Sequence, residues 1–149
     1  MKLKLTLAAA LVATFALTAC GSSDDSPVQV PPITVVTSPT ALTTKDTVAG
    51  TGAEAVVGKK ISVNYSGYLY DSSKPDNKGA NFETSKAPVE FTLAKGELIE
   101  GWVQGIPGMK VGGKRTLSIP SSLAYGPSGR GAIPPNAGLV FDIELVAVK

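Results

Sequence analysis

The residues of this chain best suited to chemistry are aromatic and apolar, not ionisable. Tyr65, Trp102, Tyr125 and Phe141 stand out, the last two bracketing a turn-rich segment that runs from Ala124-Tyr125-Gly126 through Ile133-Pro134-Pro135-Asn136 into Leu139 to Leu145. The chain contains no histidine, which removes the Ser-His-Asp and Cys-His constellations and every histidine-based metal site. A glycine- and proline-rich loop with an apolar tip is costly to expose to water, so it is expected to cover something. The combination suggests an apolar pocket that works without a catalytic acid, base or metal. Taken singly, each of these aromatics would be ordinary core; it is their grouping that calls for a site.

Such a pocket needs elements to hold it. Ile61, Val63, Tyr65, Gly67 and Leu69 alternate with polar residues over 60–69, the period of a half-buried strand. The last ten residues repeat the pattern, with Leu139, Phe141, Ile143 and Leu145 on one face and Asp142 and Glu144 on the other. Shorter alternations occur at Val89-Phe91-Leu93 and Arg115-Leu117-Ile119, and Thr43 to Val48 is a further strand candidate. About five strands imply an antiparallel sheet with one covered face. Only one segment reads as a helix: Leu98, Ile99, Trp102, Val103 and Ile106 share a face before Pro107-Gly108 ends the run. The expected class is therefore α+β, an antiparallel sheet covered by a single helix, with Trp102 pointing from the helix toward Tyr65 and Phe141. The polar stretch from Asp71 to Ala80 reads as a solvated connection.

The bulk composition fits one domain with appendages, since 149 residues at 43% apolar and 17% charged can close a single core. The formal charge of +2 comes from Lys2 and Lys4, beyond which twelve basic residues face twelve acidic ones. This balance argues against a nucleic-acid partner. A single cysteine, Cys20, excludes an intramolecular disulfide.

Residues 1–19 have the layout of a secretory signal: two lysines, an uncharged run of thirteen residues from Leu5 to Leu17, and small residues before Cys20. Thirteen residues rise only about 20 Å as a helix, short of the roughly 30 Å hydrocarbon core, so a permanent span is the weaker reading. Leu17-Thr18-Ala19-Cys20-Gly21 also resembles the lipobox of bacterial lipoproteins, which implies acylation of Cys20 and attachment to a membrane; the competing reading is ordinary cleavage leaving a free thiol. More than one acyl chain gives stable anchoring at about 0.8 kcal/mol per buried CH₂. The expected location is the bacterial cell envelope, on the outer membrane facing the periplasm if the source is Gram-negative. Residues 20–42, with Pro27, Pro31, Pro32 and Pro39 among Ser, Thr and Asp, read as a tether, roughly 70 Å long if extended and about 25 Å if flexible.

In residues 43–149, the motifs Val63-Asn64-Tyr65-Ser66-Gly67, Gly101-Trp102, Gly105-Ile106 with Met109 to Gly112, Ala124-Tyr125-Gly126, Ile133-Pro134-Pro135 and Leu139 to Leu145 occur in that order. Together they resemble an FKBP-type peptidyl-prolyl cis/trans isomerase domain. The resemblance implies a curled antiparallel sheet of about five strands wrapped over one short helix, and an enzyme without a cofactor, acting on proline-containing polypeptides and open to macrolide inhibitors. It assigns Tyr125, Phe82, Glu83 and Trp102 to catalysis, and Tyr65, Val89, Leu98, Ile99, Ile133 and Phe141 to substrate binding. The proline ring would lie on the Trp102 indole, with the Ile99 N–H and the Tyr125 hydroxyl as donors to substrate carbonyls. Activity without a titrating group should be nearly flat between about pH 6 and 8.

The chain departs from the family pattern at its rim. Glu83 stands where aspartate is usual, and its extra methylene is expected to disturb a carboxylate contact with Tyr125. Val89 replaces a frequent aromatic, Arg130 a frequent histidine, and Ala132 shortens the loop tip. Two functions fit this pattern: an isomerase assisting the folding of exported proteins, and a proline-loop binding chaperone or scaffold with weak catalysis.

Overall fold

The computed structural model describes residues 36–149; Cys20, the signal segment and most of the proposed tether lie outside them. Six strands form one antiparallel sheet: β1 (Thr43–Val48), β2 (Lys60–Tyr70), β3 (Lys78–Thr84), β4 (Val89–Thr92), β5 (Lys114–Ile119) and β6 (Leu139–Val148). Their order is β1-β5-β6-β2-β3, and β4 pairs with β2 as well. β3 and β4 share one edge of β2, β4 along Lys60 to Val63 and β3 along Ser66 to Tyr70. The one α-helix among the described residues, α1 (Glu100–Gly105), lies between β4 and β5 in the chain.

The period-two patterns in β2 and β6 decide which face is covered. Ile61, Val63, Leu139, Phe141, Ile143 and Leu145 are each at most 4% exposed and form one cluster with Trp102 and Ile106 of the helical segment. On the opposite face Asp142 accepts from Lys78 Nζ and Thr116 Oγ1, both at 2.7 Å, and Glu144 accepts from Asn64 Nδ2 at 3.2 Å. These bonds link β6 to β5 and β2 beside it and to β3 beyond β2 at the surface, where each contributes at most about 1 kcal/mol.

Two glycines let the helix approach the sheet. Gly101 and Gly105 lie four residues apart and so face the same way. A Cβ at Gly101 would run into the Ile119 side chain, 2.8 Å from its Cδ1, and one at Gly105 would stand 2.9 Å from Leu117 Cδ2. The helix therefore rests with its backbone against β5. Its C-terminal end is held by Arg115, whose Nη1 donates to the Gly105 and Pro107 carbonyls at 2.8 and 3.2 Å while the other side of the guanidinium grips Asp46 of β1. A cation on the last carbonyls of a helix is favoured by both hydrogen bonding and the helix dipole.

Three details differ from the sequence expectation. The sheet has six strands because Asp71 to Ala80 is not all loop: β3 starts at Lys78 and is an irregular, largely exposed edge with two shifts in its pairing to β2. The helix begins only at Glu100, with Ile99 as its extended N-cap. The folded unit also starts before Thr43, since Leu42 packs against the core and Thr37 and Ser38 are hydrogen-bonded to the sheet and its loops.

Candidate active site

The covered face of the sheet does not close completely. Between β2, β3, β4, β6, the helix N-terminus and the loop from Pro120 to Gly138 it leaves a cavity of about 740 Å³. Trp102 forms its floor, 4% exposed, and three rings meet the indole nearly at right angles: Phe141 at 5.2 Å, Tyr65 at 5.3 Å and Phe91 at 5.6 Å between centroids. Phe82 from β3 stands edge-on to Phe141 at 5.7 Å. Such geometry matches the ring quadrupoles and adds about 0.5–1.5 kcal/mol per pair beyond area burial.

Each element supplies part of the wall for a local reason. Tyr65 and Phe141 reach the same face because they hold inward positions on paired strands, Tyr65 opposite Ile143 and Phe141 opposite Gly67. Leu98 and Ile99 enter from the extended residues before the helix, and no hydrogen bond within the described residues occupies the Ile99 N–H. Ala124, Tyr125 and Ile133 come from the overhanging loop. That loop is braced by reciprocal bonds between Arg130 and Ile133, N–H to O=C at 2.9 and 2.8 Å, and by Asn136 N–H donating to Gly126 O at 2.8 Å.

The polar rim is organised around Glu83. The Glu83 carboxylate accepts the Tyr65 hydroxyl at 2.8 Å, so its partner is the tyrosine of β2 and not Tyr125. Burial, followed by the hydrogen bond and charge of Glu83, pushes Tyr65 up to about 12. It remains a neutral donor far above physiological pH, and its side chain lines the cavity. Arg130 lies over the Tyr125 ring, 5.5 Å from its centroid, a stacked cation of the kind that steadies an exposed aromatic by about 0.5–1 kcal/mol.

Of the residues singled out in the sequence, Tyr65, Phe82, Glu83, Leu98, Ile99, Trp102, Tyr125, Ile133 and Phe141 line this cavity together. Val89 does not: it is the first residue of a short edge strand, 36% exposed and outside the lining. Phe91, two positions on along the same face of β4, takes the wall position instead, because it pairs opposite Ile61 and its ring is long enough to reach Trp102. The Val89-Phe91-Leu93 alternation contained that signal, since it places Phe91 on the covered face. Among the described residues no three His, Cys, Asp or Glu side chains gather closely enough to hold a metal ion.

An antiparallel sheet curled over one short helix, with a tryptophan-floored aromatic cavity between them, defines a class, and comparison agrees. Residues 52–146 match the family model described as FKBP-type peptidyl-prolyl cis-trans isomerase, and the chain belongs to that family of enzymes. It is 50% identical over 100 residues to peptidyl-prolyl cis-trans isomerase FPR2 of Saccharomyces cerevisiae, covering 64% of this chain and 70% of that protein. FK506-binding protein 4 of Dictyostelium discoideum is 45% identical over 119 residues, covering 78% of this chain but 31% of that longer protein. The crystal structure of AtFKBP13 superposes with a TM-score of 0.63 at 40% identity, covering 76% of this chain and 98% of the other.

Proposed function

We propose that this protein accelerates X-Pro isomerisation in exported polypeptides by stripping water from the amide and holding it as it twists. The observation that carries this reading is the cavity floor, a buried indole ringed by Tyr65, Phe91 and Phe141. The floor offered to a substrate is aromatic, and the lining around it is mixed, with Glu83, Glu97, Glu100 and Arg130 present beside Tyr125 and Ile99.

Rotation about a peptide C–N bond faces about 18–20 kcal/mol because planarity preserves resonance, and it breaks no bond between heavy atoms. A planar amide is more dipolar than a twisted one, so an apolar site raises the ground state relative to the transition state. The proline ring seats on Trp102, walled by Phe82, Phe91 and Phe141. The Ile99 N–H and the Tyr125 hydroxyl then donate to substrate carbonyls in the orientation that rotation requires. Roughly 5 kcal/mol of differential stabilisation supplies about 10³- to 10⁴-fold acceleration. The Tyr65–Glu83 pair keeps one wall in place and transfers no proton. The same cavity accounts for an affinity toward FK506-type macrolides, the property for which the Dictyostelium relative is named.

Tyr125→Phe tests the donor. It should lower kcat/KM in a protease-coupled proline-peptide assay about five- to tenfold, the worth of one oriented hydrogen bond, while the melting temperature stays within about 2 °C of wild type. The assignment fails if kcat/KM is unchanged. A wild-type protein that binds proline peptides without accelerating their isomerisation would instead support the chaperone reading.

The second part of the proposal is location. Cys20 carries diacylglycerol and holds the domain to the cell envelope, a reading supported by the lipobox behind the charged and apolar leader. Labelled fatty acid should enter the wild-type protein in bacterial cells and not Cys20→Ser, which should move to the soluble fraction. Equal labelling of both would remove the anchor.

A further inference from the structure

The loop that overhangs the cavity closes the β5–β6 hairpin, whose last pair is Ile119 and Leu139. Loops of this length need bracing if their side chains are to present a fixed surface. Inside the loop the bonds between Arg130 and Ile133 and between Asn136 and Gly126 shape the tip but do not fix the loop to the body. Ile133 and Ala137 pack into the core, and the two ends of the loop are held in addition by a segment of sequence far away, the stretch from Val36 to Leu42 that precedes β1.

At the start of the loop, the Ser121 N–H donates to Ser38 Oγ at 2.9 Å. At its end, the buried Gly138 N–H donates to the Thr37 carbonyl at 3.0 Å, and the Gly138 carbonyl accepts from Tyr70 N–H at 2.8 Å. Thr37 Oγ1 donates in turn to the Tyr70 carbonyl at 2.9 Å, closing a ring of contacts between this segment, the end of β2 and the loop. The fit is steric as well as polar. A Cβ on Gly138 would stand 2.5 Å from Pro39 Cδ and 2.7 Å from Ser38 Cα. The segment thus occupies the space that a side chain at Gly138 would fill, and it supplies the acceptor that a buried N–H requires.

We infer that Val36–Leu42 is a strap that sets the height of the Pro120–Gly138 loop over the cavity, with Ser38 and Pro39 as positioning residues for Tyr125 and Ile133. This rests on the isomerase reading of the cavity and adds to it a control point outside the cavity. A strapped loop meets substrate already ordered. A loosened one must be ordered on binding, and a competent fraction that falls fivefold weakens apparent affinity fivefold. The loss falls on binding and not on the twisting step, because the residues that meet the amide are unchanged. The strap also leads to the chain before residue 36, so load arriving along the chain from that side meets Thr37 and Ser38 before it meets the site.

The test is Ser38→Ala combined with Pro39→Gly in the full chain, which loosens the strap's hold on the loop without changing any residue of the cavity or the loop. Two readouts are needed. Amide hydrogen exchange in 121–138 should quicken about fivefold or more, with the β2 and β6 amides unchanged. KM for a proline peptide should rise about fivefold, with kcat within a factor of two, and Ser38→Thr alone should keep wild-type values because its hydroxyl still accepts. Loop exchange within a factor of two of wild type overturns the strap, as does quickening of equal size in β2 and β6, which would mean a general loss of stability. A changed kcat at constant KM also overturns it. Exchange is measured without substrate, so it decides the strap even if the wild-type protein proves to have no isomerase activity; that outcome would sink the isomerase reading alone.

Discussion

Trp102→Leu should lower kcat/KM for proline peptides by more than tenfold and the melting temperature by roughly 10–15 °C, and the two losses should have different origins. The indole is 4% exposed and packs against Tyr65, Phe91 and Phe141. Truncating a buried tryptophan to alanine costs about 3–5 kcal/mol. Leucine refills part of the volume, which brings the cost to roughly 2–3 kcal/mol, and each kcal/mol moves the midpoint by about 5 °C in a domain of this size. The catalytic loss comes from the missing floor. Leucine offers the proline ring a smaller, rounded surface, and the three surrounding rings lose the plane that sets their angles. Assaying at a temperature where circular dichroism shows the variant fully folded separates the two effects. If kcat/KM of the folded variant lies within a factor of two of wild type, the indole is core alone and the seat of the proline must be sought elsewhere.

Why Trp102 was legible from sequence and other parts of the site were not follows from the range of the interactions. Strands β2 and β6 announce themselves because a period of two over ten residues is a local property, and the same period places Tyr65 and Phe141 on the covered face. Residues Lys78 to Thr84 carry little alternation. They form a strand because the edge of β2 beside them is unpaired, which depends on a residue pairing as distant as Tyr70 with Lys78 across a loop. For a related reason Phe91 stands in the wall where the resemblance implies Val89. Both lie on one face, and only the curl of the sheet decides which of them meets the helix. Glu83 shows a third limit, since its partner among two tyrosines is fixed by the pairing of β3 with β2, which brings the Tyr65 hydroxyl to 2.8 Å from its carboxylate. The strap is the hardest to see. Its proline, serine and threonine content matches a tether, and its docking uses the backbone carbonyl of Thr37 and the missing side chain of Gly138, neither of which leaves a pattern in the sequence.

The same dependence on a missing side chain makes Gly101 a sensitive position. In an isolated helix Gly→Ala is favourable by about 1 kcal/mol. Here it should destabilise the domain by about 1–3 kcal/mol, because the added methyl meets Ile119 Cγ2 and Cδ1 in a fully buried site where overpacking has no room to relax. Since α1 is only six residues long, it cannot bend away from the contact and must shift as a body. Trp102, the next residue, moves with it, so kcat/KM should fall several-fold as well. A double-mutant cycle isolates the cause. Ile119→Ala alone should cost about 2–4 kcal/mol by leaving a cavity. With Gly101→Ala the added methyl enters that space, so the double variant should be more stable than the sum of the two costs by at least about 1 kcal/mol. Denaturant unfolding of the four proteins measures this coupling, and additivity within about 0.3 kcal/mol would show that the helix does not rest on β5 through its glycine face. Isomerase activity provides the second axis. If the methyl acts by displacing the indole, activity should return in the double variant along with stability, whereas recovery of stability without activity would place the catalytic defect somewhere other than the height of the helix above the sheet.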